Sequence, residues 1–162
     1  MIVFVDADGC PVIDITIQIA RKFGKECILV CDTSHHFERV GAKTIIVAKG
    51  TDSVDFKLVN MVSSGDVVIT QDYGLAAMCL AKRAIPVDQN GRIFNDENIN
   101  GLLYQRDVAK RARMMGKKFK KIPKRSLEQD RAFENTLIAV ISKRIKLIHE
   151  MREEEQIIKI TD

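Results

Sequence analysis

Ile2-Val3-Phe4-Val5-Asp6-Ala7-Asp8-Gly9-Cys10-Pro11 is the stretch on which the fold turns. Four apolar residues, mostly β-branched or aromatic, have the pattern of a strand buried on both faces, and two carboxylates follow where that strand would end. In an open parallel sheet the rim outside the carboxyl ends of the strands is where ligands bind. The opening therefore predicts both a central strand and a polar site at its end.

Working outward, Val12, Ile15, Thr16, Ile19, Ala20 and Phe23 repeat with helical spacing, with Pro11 at the expected first helical position and Gly24 past the end. A second apolar run, Cys27 to Cys31, leads into a polar loop containing His35 and His36. Lys43 to Ala48 follows as a third strand. Thr51 is a candidate N-cap for a helix burying Val54, Leu58, Met61 and Val62, which Ser64-Gly65 ends. Asp66 to Asp72 then forms a fourth strand, Tyr73 to Lys82 a helix, and Ala84 to Val87 a fifth strand before an Asn90-Gly91 turn. Beyond residue 90 the pattern turns helical. Asn95 or Asp96 caps a helix bearing Ile99, Leu102 and Leu103, and Pro123 lies in a basic loop. Ser126-x-x-Gln129 is a capping box opening a helix that buries Phe133, Leu137, Ile141 and Ile148. The pattern predicts an α/β fold with a mainly parallel sheet of four to five strands flanked by helices. A helical, basic C-terminal part completes it.

Composition is consistent with one domain over residues 1–162: an alternating core over 1–90, a helical part over 91–151, and a tail over 152–162 whose order the pattern leaves open. No apolar run approaches the ~20 residues of a membrane span and the first strand leaves no room for a signal peptide, so a cytoplasmic location without membrane association is expected. Cys10, Cys27, Cys31 and Cys79 are scattered, and Cys27 and Cys31 fall on one face of a strand, which fits reduced, buried thiols better than zinc. The net charge of +4 hides a division. Residues 104–125 hold ten Lys and Arg against one acid, Asp107, which leaves the rest of the chain net negative. A basic arm on an acidic body suits a polyanion held over a metal-binding rim, although a solvated helix face would look the same.

The chemistry rests on aspartates. Asp6, Asp8 and Asp72 are expected at strand ends, with Asp52 and Asp55 one turn apart at a helix start. Converging carboxylates repel, and a hard cation relieves them, so Mg²⁺ or Mn²⁺ is the expected cofactor. Aspartates also favour loops and helix N-termini for local reasons, which suffices for Asp52, Asp32 or Asp88 taken singly. Thr70 and Gln71 stand where they could orient water or phosphate. Arg106, on the apolar side of its helix after Leu102 and Leu103, either aims inward at a phosphate or snorkels outward. Cys10 lacks a histidine partner and is expected to pack rather than react.

Val5 to Val12, Gly50 to Asp55 and Gly65 to Ala76, continued by Glu97-Asn98-Ile99-Asn100, Leu102-Leu103, Arg106 and Asp130, resemble the motifs of the YaiI/YqxD family. These small bacterial proteins are considered related to PIN-domain nucleases. Gly9 stands where alanine is common in the family, and Asn100 where aspartate is common. The resemblance implies a three-layer PIN-like domain that hydrolyses phosphodiesters with Mg²⁺ or Mn²⁺. Asp6, Asp55 and Asp72 map onto its acids, with Asp8 and Asp52 beside them. The expected substrate is nucleic acid, RNA ahead of DNA, gripped by Arg106 and by Lys117, Lys118, Lys120 and Lys121. Homo-oligomerisation is left open. Two other readings are carried: a non-catalytic RNA-binding or regulatory module, and a haloacid-dehalogenase-type phosphatase with Asp6 as nucleophile, whose lysine and fourth-strand acidic loop the chain matches poorly.

Overall fold

A computed structural model describes residues 1–34, 38–50, 53–116 and 123–161, with side chains described as far as 151. Five strands form one wholly parallel sheet: β1 (Val3–Asp6), β2 (Cys27–Asp32), β3 (Lys43–Val47), β4 (Val67–Ile69) and β5 (Ile85–Val87), in the order β3-β2-β1-β4-β5. β1 lies at the centre, with Val3, Phe4 and Val5 at most 1% exposed. Alternate residues feed two cores. Val3 and Val5 join Cys27, Leu29, Cys31, Val67 and Ile69 under α1 (Ile13–Lys22) and α5 (Leu127–Thr161). Phe4 joins Ile28, Val30 and Val68 under α2 (Ser53–Met61) and α3 (Tyr73–Ala81). The result is a three-layer α/β/α arrangement. α4 (Ile99–Met114) packs outside α3 through Phe94, Ile99, Leu102 and Leu103.

Local chemistry sets the boundaries. α1 begins at Ile13, so Pro11 lies in the turn ahead of the helix rather than at its first position. It ends in a Schellman motif: the Gly24 N–H donates to the Arg21 carbonyl at 3.0 Å and the Lys25 N–H to that of Ala20 at 2.8 Å, with Gly24 at φ +61°. β4 is shorter than the apolar run suggested: Asp66 and Thr70 fall outside it, although the Asp66 carbonyl accepts the Ile85 N–H and the Thr70 N–H donates to the Val87 carbonyl. The Asp66 carboxylate accepts the N–H groups of Ile2 and Ser63. Asn95, not Asp96, caps the turn into α4, accepting from the N–H groups of Glu97 and Asn98. The Ser126–Gln129 capping box forms in both directions. Ile148 is half-buried rather than core, because α5 continues past the sheet to Thr161, through the segment read as a tail. Cys27, Cys31 and Cys79 are buried and in no disulfide. Among the described residues no helix is long and apolar enough to cross a membrane.

The Asp88–Arg92 turn is built with particular rigidity. The Asp88 carboxylate accepts the N–H groups of Asn90 and Arg92, both at 2.8 Å, and Arg125 reaches in from the start of α5. The Arg125 guanidinium donates to Asp130 Oδ1 (2.6 Å), Asn90 Oδ1 (3.0 Å) and the Gln89 carbonyl (2.5 Å). Gly91, at φ +85°, approaches α5 so closely that a Cβ would come within 2.8 Å of the Ala132 carbonyl oxygen. Gly91→Ala is therefore expected to cost about 2 kcal/mol or more, through strained backbone and a clash with backbone. Gly101, on α4 with no atom within 4 Å of an added Cβ, is the opposite case. Gly101→Ala is expected to stabilise by ~0.5–1 kcal/mol, both differences being read from urea denaturation midpoints.

Candidate active site

β1 and β4 are neighbours, yet the chain leaves β1 for α1 on one face and leaves β4 for α3 on the other. The crevice between their carboxyl ends is the topological switch point of the sheet, the usual ligand position in this architecture. Asp6 ends β1 and Asp72 caps α3 directly after β4. Thr70, 1% exposed, ties the two together: its hydroxyl donates to Asp6 Oδ2 at 2.9 Å and accepts from the Asp72 N–H at 3.0 Å. Gln71 donates its side-chain amide to the Gly9 carbonyl at 3.2 Å, linking the β1 and β4 loops. Both side chains position the rim.

Asp6 carries the electrostatic signature of the site. Burial pushes its carboxyl up from an ordinary value to about 6, against the lowering effect of the Thr70 hydrogen bond. The charges of Asp55, Asp8 and Asp72 raise it further. The tertiary fold thus brings Asp55, Asp8 and Asp72 each within electrostatic range of Asp6. Asp8 Oδ2 accepts the Asp32 N–H at 3.0 Å. Asp72 Oδ1 accepts the N–H groups of Gly74 (2.6 Å) and Leu75 (3.0 Å), and Arg106 Nη1 lies 3.2 Å from each Asp72 oxygen. Arg106 therefore faces inward, onto the acids. Beside them Asp55, Phe56, Asp72, Leu75, Met78 and Arg106 line a cavity of about 380 Å³.

Among the described residues, no three His, Cys, Asp or Glu side chains are grouped tightly enough to hold a metal ion by themselves. Asp52, Lys117, Lys118, Lys120 and Lys121 lie outside the described residues, as do Thr51, His35 and His36. His149 is on the exposed surface of α5. Cys10 packs against the core, and burial pushes its thiol up to about 11, so it stays protonated at neutral pH. Arg125, counted in the basic arm, is committed to Asp130 and the Gln89-Asn90 backbone and side chain, and Arg111 pairs with Asp107 at 2.6 Å. The sequence reading missed Phe56, 59% exposed beside the acids. Its signal was an aromatic residue lying off the Val54-Leu58-Met61-Val62 stripe of its helix.

Residues 4–143 match the model of a family described as uncharacterised and named YaiI/YqxD. The chain belongs to the YaiI/YqxD family. It is 46% identical over 144 residues to a UPF0178 protein of Exiguobacterium sibiricum, covering 89% of this chain and 99% of that one. Similar proteins of the same designation occur in Ruminiclostridium cellulolyticum (48% identity; 87% and 92% covered) and Alkaliphilus oremlandii (44%; 95% and 99%). No solved structure matches. The family match spans every rim acid and Arg106, and ends within α5.

The raised Asp6 carboxyl has a definite consequence for stability. Its folded value of about 6 exceeds the unfolded value of 3.8, so the folded state binds more protons between those values. Stability falls as pH rises through that window, and above it the buried charge costs up to about 3 kcal/mol. Asp6→Asn is accordingly expected to stabilise the protein at pH 8 and to change little at pH 3.5, as measured by urea denaturation at both values.

Proposed function

We propose that this protein is a divalent-metal-dependent phosphodiesterase of PIN-like type acting on RNA in the cytoplasm. The observation that carries the reading is the convergence of Asp6, Asp8, Asp55 and Asp72 at the switch point, registered in the raised Asp6 carboxyl. Hard carboxylate oxygens at this density suit Mg²⁺ or Mn²⁺. Mg²⁺ keeps several waters and is completed by substrate phosphates, so it needs only one or two of these carboxylates. Asp6, Asp8, Asp55 and Asp72 are the residues that would hold it, with Asp52 as a further candidate. When bound, the metal supplies Lewis acidity toward phosphoryl oxygens and acidifies water.

The chain's own groups do the rest. Thr70 holds Asp6 Oδ2, which leaves Oδ1 for a ligand or proton, and a carboxyl near pH 6 exchanges protons readily at neutral pH. Arg106 and Asp72 are both about half exposed, so their pair contributes under ~1 kcal/mol and its guanidinium can exchange carboxylate for a strand phosphate. Lys117, Lys118, Lys120 and Lys121, outside the described residues, are proposed on charge alone as further phosphate contacts.

One observation favours a second reading, a non-catalytic RNA-binding module. The Asp72 carboxylate is already satisfied by two N–H groups and Arg106. The haloacid-dehalogenase alternative has less support, because Asp66, the other acid flanking β4, is spent on backbone N–H groups at the opposite end of the strand. Calorimetric Mn²⁺ titration and cleavage of labelled single-stranded RNA separate the first two readings. A nuclease shows metal-dependent cleavage that falls by about 100-fold or more in Asp6→Asn and Asp72→Asn, with unchanged melting cooperativity. RNA retention without cleavage, surviving both substitutions, identifies the binding module.

A further inference from the structure

Arg106 also borders a second cavity, of about 460 Å³, lined by residues of the Asp88–Arg92 turn and of α4. Its volume falls in the range of small-ligand sites, ~300–1,000 Å³. Three guanidinium groups border it, from three positions that the fold alone brings together: Arg92 on the turn, Arg106 in mid-helix, and Arg113 in the last turn of α4. The one carboxylate in the lining, Asp88, is spent on the N–H groups of Asn90 and Arg92. Planar guanidinium forks match phosphate oxygens in pairs, which makes such a ring of arginines an anion receptor rather than a diffuse basic face.

Two further features favour a nucleotide over a bare anion. Tyr73 lines the cavity with its ring held edge-on by Phe94, centroids 5.7 Å apart at 63°, so an aromatic surface is fixed in place before any ligand arrives. Gln89, also in the lining, has its side-chain Oε1 buried without a hydrogen-bond partner. An unpaired buried acceptor costs ~1–3 kcal/mol, and a ribose hydroxyl or base N–H would relieve it. The turn that carries Gln89 and Arg92 is clamped by Arg125, so these groups are preorganised.

We propose that this cavity is a nucleotide subsite, taking a phosphate on Arg92, Arg106 and Arg113 and the attached nucleoside against Tyr73 and Gln89. It deepens the phosphodiesterase reading and rests on it for its role: Arg106 borders both cavities, so a nucleotide seated here holds the strand that continues over the acids. Neither Arg92 nor Arg113 was singled out by the sequence, since Arg92 stands outside the basic arm and Arg113 is one of several cations within it.

The test is calorimetric titration of the full chain with uridine 5′-monophosphate, uridine and inorganic phosphate at low salt, without divalent metal. The nucleotide is expected to bind at least about tenfold more tightly than either uridine or phosphate. Arg92→Gln/Arg113→Gln is expected to weaken it about tenfold or more, while Lys110→Gln, on the same helix but outside the cavity, leaves it within about twofold. All three substituted residues are exposed, and thermal melts confirm folding; Arg92→Gln alone carries the test if the double variant melts early. No binding of the nucleotide, equal loss in Lys110→Gln, or retention in the double variant overturns the subsite. Phosphate binding as tightly as the nucleotide removes the nucleoside contacts and overturns it equally. Because binding is read without metal or turnover, it is independent of cleavage. A subsite that binds in a protein that cleaves nothing fails only the catalytic reading, and RNA cleavage without nucleotide binding fails only the subsite.

Discussion

A carboxylate at the end of a strand buried on both faces has little water to share its charge with. In this protein everything around Asp6 answers that constraint. β1 is the central strand, flanked by β2 and β4, and Val3, Phe4 and Val5 are at most 1% exposed between the helices on both faces. Its last residue emerges where three more aspartates raise its proton affinity. The Thr70 hydroxyl offsets part of that cost and couples the end of β1 to the start of α3. Burial together with neighbouring acids favours the protonated form of Asp6.

Positive charge reaches the rim from a different part of the chain. α4 docks on α3 through Ile99, Leu102 and Leu103, and this apolar contact places Arg106 one helical turn further along, over Asp72. A separate clamp serves the adjoining turn. Arg125 anchors Gln89 and Asn90 to the start of α5, and the Gly91 approach to Ala132 closes the same contact. The C-terminal helical part is thus a scaffold for the rim as well as a basic arm. Its cations divide into structural ones, Arg125 and the intrahelical Arg111, and those that border cavities, Arg106 and Arg113.

The chain belongs to the YaiI/YqxD family and aligns with relatives at 44–48% identity over 87–95% of its length. The architecture gives those residues a physical context. The acids occupy the switch point of a parallel sheet, with an arginine-lined cavity beside them.

Periodicity and punctuation determined the elements: apolar runs of four to six residues for strands, the α1 and α5 stripes, the Gly24 stop and the Ser126 capping box. These are local, because each depends on residues within a turn or two of one another. Asp6, Asp8, Asp55 and Asp72 were legible as site candidates for the same reason, each standing at the end of an element whose direction the pattern sets. Finer placement was not, and Pro11, Asp96 and Ile148 show why: a cap or a burial edge is decided by which hydrogen bond or neighbour wins, not by spacing. Strand order, the pairing of Arg106 with Asp72, the clamp by Arg125 and the gathering of Arg92 with Arg113 belong to the tertiary structure alone. Those contacts join residues 15 or more positions apart, and only the packing of helices on a common sheet determines which distant charges meet.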